Sequence, residues 1–191
     1  MYYMQEIGLF IWYNKAMFSD PRRNIEQFGL SDGMIVADLG AGSGFYSMEA
    51  ARAVAPHGKV YAIDIQTELL TRLINEAKTR RITNLDIVVG DLEKNDGISL
   101  REGTVDAVIA SNIIFMLDDK KTFLTEIRRI LKSGGKLLLI DWSASFSQMG
   151  PHPEHVVYKD TARKLAQEVG FTLEKEIDAG AHHYGMILRK S

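Results

Sequence analysis

The chain has 191 residues, a length that suits one domain with a single core. Its 46% hydrophobic and 25% charged residues are an ordinary globular balance, and the formal net charge of -2 gives no basic excess that would indicate nucleic acid or an anionic membrane as a partner. The absence of cysteine excludes disulfides, thiolate nucleophiles and Cys-ligated metals within the chain, and it agrees with the cytoplasmic location that we expect. No stretch approaches the roughly 18 apolar residues of a membrane-spanning helix.

Apolar runs of strand length alternate with longer amphipathic segments along the chain. Residues 1–33 come before the first strand and are predicted to form one or two helices near the mouth of the functional site. The predicted strands occupy residues 34–39, 59–64, 85–89, 105–110, 136–141, 171–177 and 183–189. The predicted helices occupy residues 44–55, 67–79, 118–131 and 158–169.

The middle strands predict how the elements are layered. The runs Val108–Ala110 and Leu137–Ile140 are continuously apolar, which is typical of parallel strands covered by helices on both faces. Strand–helix alternation then predicts a doubly wound α/β sandwich. The last strand follows its neighbour too closely for a crossover, so we expect it to run antiparallel. We expect one domain over residues 1–191, with a core at 34–191.

A glycine-rich loop follows the first predicted strand. Gly40, Gly42 and Gly44 alternate with Ala41 and Ser43, and such glycines let a backbone turn sharply and approach a ligand closely. Ligands of open α/β sheets bind beyond the carboxyl ends of the strands. A nicotinamide site would prefer a glycine three positions after Gly42, where Phe45 stands. The loop therefore suits a ligand without a pyrophosphate.

The next two strand ends carry acidic residues. Asp64 can accept hydrogen bonds from both hydroxyls of a ribose, and Asp91 can accept one from an adenine amino group. Ile65 and Leu92 would pack on the two faces of the ring. Each aspartate alone could instead be a helix N-cap. Three consecutive strand ends of the right types favour a nucleoside ligand.

These motifs resemble those of class I methyltransferases. The run from Val36 to Gly44 is similar to their first motif, and Asp64 to their acidic ribose ligand. Gly90-Asp91-Leu92 resembles their adenine-contacting segment. The run 105–112 resembles their fourth-strand motif, and 131–137 their turn before the fifth strand, with Ser133 in the usual proline position. The resemblance covers residues 30–142.

The resemblance implies a seven-stranded, mostly parallel sheet in the order 3-2-1-4-5-7-6, with the last strand antiparallel. It also implies S-adenosylmethionine as the methyl donor and S-adenosylhomocysteine as the product. Asp38 would lie near the methionine amino group, with the backbone of the glycine loop beneath the methionine portion. The implied cofactor-binding residues are Asp38, Gly40, Ala41, Gly42, Gly44, Asp64, Ile65, Asp91, Leu92 and Ser111.

Topology predicts where the methyl acceptor binds. The loops after the fourth and fifth strands, and the loop before the last strand, face the same edge of the sheet. Aromatic residues of the N-terminal segment, Phe10, Trp12, Tyr13 and Phe18, could cover this edge or simply pack as a helix face. The predicted acceptor-site residues are Tyr13, Asn112, Phe115, Trp142 and His182. The candidate general bases are His183 and His155.

Several functions agree with these motifs. Methylation of a small molecule is the first choice, because the chain has no added RNA-binding module and is near neutral. RNA methylation is the alternative, since residues 56–64 are also similar to some RNA methyltransferases. Protein methylation and a cofactor-binding partner subunit without its own catalysis are further alternatives. The histidine spacing matches no standard metal motif, so no metal site is predicted.

Overall fold

A computed structural model describes residues 19–146 and 149–191 of the chain. The described residues form one sheet of seven strands flanked by helices. The strands are β1 (Ile35–Leu39), β2 (Lys59–Asp64), β3 (Leu85–Val89), β4 (Val105–Ser111), β5 (Leu131–Trp142), β6 (Phe171–Ile177) and β7 (His183–Lys190). The helices are α1 (Pro21–Phe28), α2 (Phe45–Ala53), α3 (Thr67–Thr79), α4 (Lys120–Ile130) and α5 (Lys159–Glu168).

The strand order is β3-β2-β1-β4-β5-β7-β6. The pairs among β1 to β5 are parallel, and β7 runs antiparallel to both β5 and β6. This order and this reversed strand confirm the predicted doubly wound fold. Within the described ranges, no helix is long and apolar enough to cross a membrane.

Two hydrophobic clusters lie on opposite faces of the sheet. Helices α1, α2 and α3 cover one face, and α4 and α5 cover the other. Alternate residues of a strand point to opposite faces, so Val36 joins the first cluster while Ala37 joins the second. The apolar runs in β4 and β5 are fully buried because both of their faces are covered.

The predicted starts of α4 and β5 differ from the structure by more than one residue. Helix α4 begins at Lys120 rather than at residue 118, because the carboxylate of Asp119 caps it by accepting a bond from Thr122 N at 2.9 Å. Strand β5 begins at Leu131, well before residue 136. Leu131 pairs with Val105, and the register then shifts, so the Gly134-Gly135 turn interrupts the strand rather than preceding it.

Helix α1 follows the first described residues. Asp20 caps it by accepting hydrogen bonds from the backbone of Arg22 and Arg23. Its Asn24 donates to the Tyr46 hydroxyl at 2.7 Å, which joins α1 to α2 beside the carboxyl end of the sheet. This agrees with the predicted helix before the first strand. The predicted lid residues Phe10, Trp12, Tyr13 and Phe18 lie outside the described residues.

Candidate functional site

Two adjoining cavities open at the carboxyl ends of the parallel strands. The first cavity, of about 340 Å³, lies beyond β1, β2 and β3, and the second, of about 220 Å³, lies beyond β1, β4 and β5. Gly40 and Asn112 line both cavities, so the two meet at these residues. The first cavity is also lined by Gly42, Asp64, Ile65, Gln66, Leu69, Gly90, Asp91, Leu92, Glu93, Ile113, Met116 and Leu117. The second is also lined by Ser19, Pro21, Asp38, Ala41, Phe45, Tyr46, Ser111, Trp142 and His183.

The glycine loop is folded back onto the end of β2. The backbone N–H groups of Gly40 and Ala41 donate to the carbonyl of Ile63 at 2.9 and 3.0 Å. Gly40 has a φ of +72°, and a Cβ there would lie 2.9 Å from Ile113 Cδ1. Gly44 has a φ of +78°, and a Cβ there would overlap Leu73. Both positions therefore need glycine for backbone conformation and for close packing.

Asp64 connects the glycine loop to the start of α3. Its carboxylate is 7% exposed, and it accepts hydrogen bonds from Gly42 N and Gln66 N, both at 2.9 Å. Each carboxylate oxygen accepts one of these bonds and keeps a further lone pair. Asp64 is not the N-cap of α3, since Gln66 takes that position. The carboxylate therefore faces the first cavity with accepting capacity left.

Asp91 lies at the opposite side of the first cavity. Its carboxylate pairs with Lys94 at 2.9 Å and accepts a bond from Glu93 N at 3.1 Å. The hydrogen bond from the Lys94 side chain holds the pKa of Asp91 below its usual value. The structure therefore brings Asp91 to the cavity as a carboxylate, and Asp64 lines the same cavity.

Apolar side chains form the remaining walls of the first cavity. Leu92 is buried, whereas Ile65 and Met116 are exposed despite their size. Ile65 and Leu92 were predicted, but Met116, Leu69 and Glu93 were not. Met116 belongs to a short 3₁₀ turn over Ile114–Met116 after β4, and no periodic pattern marks that turn in the sequence.

Asp38 lies deep in the second cavity, at the end of β1. It accepts a hydrogen bond from the Ser47 hydroxyl at 2.5 Å. Burial raises the pKa of Asp38 to about 6, and the Ser47 bond opposes that effect. Ser111, at the end of β4, lines the same cavity, so two of the predicted donor-binding residues stand together here.

Asn112 stands between the two cavities. Its φ of +56° turns the chain sharply after β4, and its N–H donates to the carbonyl of Ile140 at 2.9 Å. Its side-chain Oδ1 is shielded from water and has no hydrogen-bond partner among the described residues. An unpaired polar atom in such a place is costly unless a ligand or water completes it.

His183 lines the second cavity from the start of β7. It is 8% exposed, and its ring packs at 4.4 Å, centre to centre, against the ring of Trp142. Neither ring nitrogen has a partner within residues 19–146 and 149–191. Burial lowers the pKa of His183 to about 4, so the imidazole is neutral at pH 7.

The other predicted residues are placed differently. His182 packs its ring against Phe146 at 4.1 Å and is not among the residues that line either cavity. His155 has a side chain that is 62% exposed and lies 3.6 Å from Glu154. Phe115 packs against the core beside α4. Tyr13 lies outside the described residues.

From the sequence, we expect the loop after the fifth strand to bring Asp141 and Trp142 to the acceptor side, and Asp141 is the last residue but one of β5. It is almost fully buried, and it accepts bonds from the backbone N–H groups of Ile114, Phe115 and Trp142 at 3.1, 3.4 and 2.7 Å. It thus ties the turn after β4 to the end of β5. Burial raises the pKa of Asp141 to about 6. Its position at the end of the fifth predicted strand is the sequence signal that indicated this edge of the sheet.

The lining of the two cavities is acidic. The described lining residues include no lysine or arginine, and their carboxylates belong to Asp38, Asp64, Asp91 and Glu93. Three aromatic residues, Phe45, Tyr46 and Trp142, border the second cavity. The arrangement can hold a neutral or cationic ligand beside an aromatic wall, and it offers no lysine or arginine to an anion.

Comparison with known proteins agrees with this geometry. A family model described as a methyltransferase domain matches residues 30–183. An arsenite methyltransferase of Aquipseudomonas alcaligenes is 32% identical over 116 residues, which are 59% of this chain and 34% of that protein. A ubiquinone/menaquinone biosynthesis C-methyltransferase of Cronobacter sakazakii is 28% identical over 167 residues, which are 85% of this chain and 62% of that protein.

Among solved structures, a SAM-dependent methyltransferase from Aquifex aeolicus superposes with a TM-score of 0.83 at 28% identity, covering 93% of each chain. The chain spans between about a third and three fifths of the length of the two curated relatives above. The family match extends over most of the chain and includes the lining residues of both cavities apart from Ser19 and Pro21. The chain therefore belongs to the methyltransferase-domain family, with the fold of class I S-adenosylmethionine-dependent methyltransferases.

Proposed function

We propose that this chain transfers a methyl group from S-adenosylmethionine to a small molecule, with the donor's nucleoside in the first cavity and the acceptor in the second. The observation that carries the proposal is the junction of the two cavities at Gly40 and Asn112. A methyl group held at that junction would be within reach of both cavities. Proximity and alignment of this kind supply much of the rate in a displacement reaction.

The residues of the first cavity fit an adenosine. Asp64 has lone pairs left for two ribose hydroxyls, and Asp91 can accept from the adenine amino group. Leu92 and Ile65 offer apolar surface to the faces of the base. Gly90 lines the same cavity, and a Cβ there would lie 2.9 Å from Ile63 Cγ2. The cavity wall is thus closely packed beneath the site of the base.

The inner residues of the second cavity fit the methionine portion. Asp38 is a buried carboxylate that would be stabilised by a bound ammonium group, and Ser111 and Ala41 would line the rest. Gly44 caps α2 and lines neither cavity, so its contribution would be the turn of the glycine loop. When bound, S-adenosylmethionine supplies a methyl group that is already activated by its sulfonium. The chain's own task is then to align the acceptor and to exclude water.

His183 is the base candidate that the fold brings to the acceptor cavity, whereas the exposed His155 lines neither cavity. A base is needed only where the acceptor must lose a proton. Since the pKa of His183 is about 4, its neutral ring nitrogen can accept a hydrogen bond at pH 7 but is a weak base. His183 would then mainly orient the acceptor, together with Asn112 and Trp142.

The lining charges favour a small acceptor over RNA. A phosphate backbone is bound by lysine and arginine, and the described lining residues are acidic instead. The absence of cysteine also means that this chain has no thiolate for a thiophilic ion such as trivalent arsenic. We therefore propose an organic acceptor, and a cytoplasmic location as expected for a cysteine-free chain.

The test is a methyl-transfer assay on cell extract with labelled S-adenosylmethionine, comparing the chain with its Asp64→Ala variant. We expect label in the low-molecular-mass fraction, unaffected by ribonuclease or protease and strongly reduced with the variant when the donor concentration is well below saturation. Label that disappears after ribonuclease or protease treatment would instead assign an RNA or protein acceptor. Cofactor binding without transfer to any fraction would point to a partner subunit that lacks its own catalysis.

A further inference from the structure

We propose that the acceptor recognised by the second cavity is an uncharged molecule that presents a single ring and a hydrogen-bond donor to Asn112 and His183. This rests on the proposed function, because it names the chemical class that the same cavity would take. Charge, hydrogen-bonding capacity and shape each support it.

The wall of the second cavity disfavours a charged acceptor. Its described lining contains no lysine or arginine, and His183 is held neutral by burial, so an acceptor anion would lose its hydration without gaining a cation. Asp38 is the carboxylate of this wall, and it already accepts from Ser47 and would pair with the ammonium of the donor. An acceptor cation would therefore lose its hydration beside a carboxylate that is already paired. Both signs of charge are disfavoured.

Three polar side chains of the second cavity have buried atoms without partners among the described residues: Ser111, Asn112 and His183. Ser111 is assigned to the donor, which leaves Asn112 and His183 for the acceptor. Asn112 Oδ1 can only accept, and the neutral imidazole of His183 has one accepting and one donating nitrogen. All three atoms are shielded from water without a partner among the described residues. A ligand hydroxyl or N–H would complete the accepting atoms, whereas a purely apolar ligand would leave them unpaired. A site of this kind discriminates strongly against an analogue that lacks the donor.

The aromatic side chains of Trp142 and Tyr46 favour a flat acceptor. The Trp142 ring is held by His183 on one side and by Gly150, where a Cβ would lie 2.7 Å from the indole. The Tyr46 hydroxyl is held by Ser19 at 2.7 Å. These fixed flat surfaces suit a planar ligand. Since about 150 Å³ suffices for benzene, the cavity of about 220 Å³ has room for no more than one ring, even before part of the methionine portion enters it.

The test uses four probes that each carry one benzene ring with one substituent: benzyl alcohol, toluene, benzoate and benzylammonium. Their binding to the chain saturated with S-adenosylhomocysteine is measured at neutral pH by saturation-transfer NMR. We expect benzyl alcohol to bind at least about tenfold more tightly than either charged probe, because the charged probes lose hydration without compensation. We expect toluene to bind more weakly than benzyl alcohol, because it leaves the accepting atoms unpaired.

Two variants assign the selectivity to this cavity. Asn112→Gly keeps the positive φ but removes the amide, so it should abolish the preference for benzyl alcohol over toluene. Phe45→Lys places a cation at the exposed rim and should increase benzoate binding, whereas the matched control Phe45→Leu should not. Phe45→Lys leaves the first cavity unchanged, because Phe45 lines only the second. Asn112→Gly changes a residue that lines both cavities, so S-adenosylhomocysteine affinity is measured for this variant as well.

The outcomes separate the two proposals. Failure of S-adenosylhomocysteine to bind would overturn the proposed function itself. Bound S-adenosylhomocysteine with benzoate or benzylammonium binding as tightly as benzyl alcohol would overturn the inference alone. Lack of binding by all four probes, or unchanged selectivity in both Asn112→Gly and Phe45→Lys, would also overturn it.

Discussion

The two cavities differ in how their polar groups are satisfied. In the first cavity, Asp64 accepts two backbone hydrogen bonds and Asp91 pairs with Lys94. In the second, the ring nitrogens of His183 have no partner among the described residues, and neither has Asn112 Oδ1 where the two cavities meet. Both cavities lie at the same edge of one sheet, so the contrast comes from the side chains and loops at that edge.

This contrast indicates which cavity has its binding geometry in place before a ligand binds. At the first cavity the loops are held by short local bonds between neighbouring strand ends, so the binding geometry exists before a ligand arrives. At the second cavity, polar atoms are buried without partners, which costs free energy. A ligand that forms hydrogen bonds with these atoms would recover it. The donor half is thus preorganised, whereas the acceptor half depends on its ligand.

The largest expected effect tests the link between the halves, which is Asp141. The Asp141→Ala variant removes the acceptor of three backbone N–H groups and leaves that of Ile114 buried and that of Phe115 partly buried. We expect the free energy of unfolding to fall by about 2–4 kcal/mol, measured by urea denaturation. The exposed Asp160→Ala is the control and should change it by less than about 0.5 kcal/mol. A loss equal to that of the control would show that Asp141 does not hold the turn.

The next effect tests the donor half. Asp64→Ala should weaken S-adenosylmethionine binding by about thirtyfold, or about 2 kcal/mol, because charge-assisted bonds to the ribose and to Gly42 are lost. Calorimetric titration measures this affinity. Asp86→Ala is a matched control on β3, where the carboxylate pairs with Lys59 away from both cavities. Equal affinity of the Asp64→Ala variant and the control would remove Asp64 from the donor site.

A smaller effect concerns the pH dependence of donor binding. The folded pKa of Asp38 is raised to about 6, so this carboxyl becomes protonated as pH falls through that value and loses its attraction for an ammonium group. Affinity for S-adenosylhomocysteine should therefore drop about tenfold between about pH 7.5 and about pH 5. The Asp38→Asn variant should bind weakly with a flat pH profile. A profile that stays as steep in Asp38→Asn would assign the proton to another group, such as Asp141.

The smallest effect tests the rim of the acceptor half. Asp20→Ala removes the cap of α1, whose neighbours Ser19 and Pro21 line the second cavity. We expect a loss of stability of about 1 kcal/mol, measured by thermal unfolding. Donor affinity should stay unchanged while benzyl alcohol binding weakens. A change confined to donor affinity would contradict the division into two halves.

The sequence predicted the bounds of the elements beside the first cavity more accurately than the start of β5, which borders the second. The predicted bounds of β2, α3 and β3 agree with the structure, because their apolar periodicity is regular and turn residues bound them. The start of β5 was wrong because pairing of Leu131 with Val105 depends on a register shift that no local pattern encodes. Met116 was missed for a similar reason, since it belongs to a turn that forms only in the folded chain.

The sequence by itself determined the fold class, the strand order through its resemblance to a known family, and the glycine loop with Asp64 and Asp91. These features depend on local spacing and on backbone conformations that few residues can adopt. Only the tertiary structure decided which polar atoms lose their partners, that His183 is neutral while His155 stays in solvent, and that α1 borders the second cavity. Burial and pKa depend on neighbours that are distant in the sequence, so they follow from packing and not from spacing.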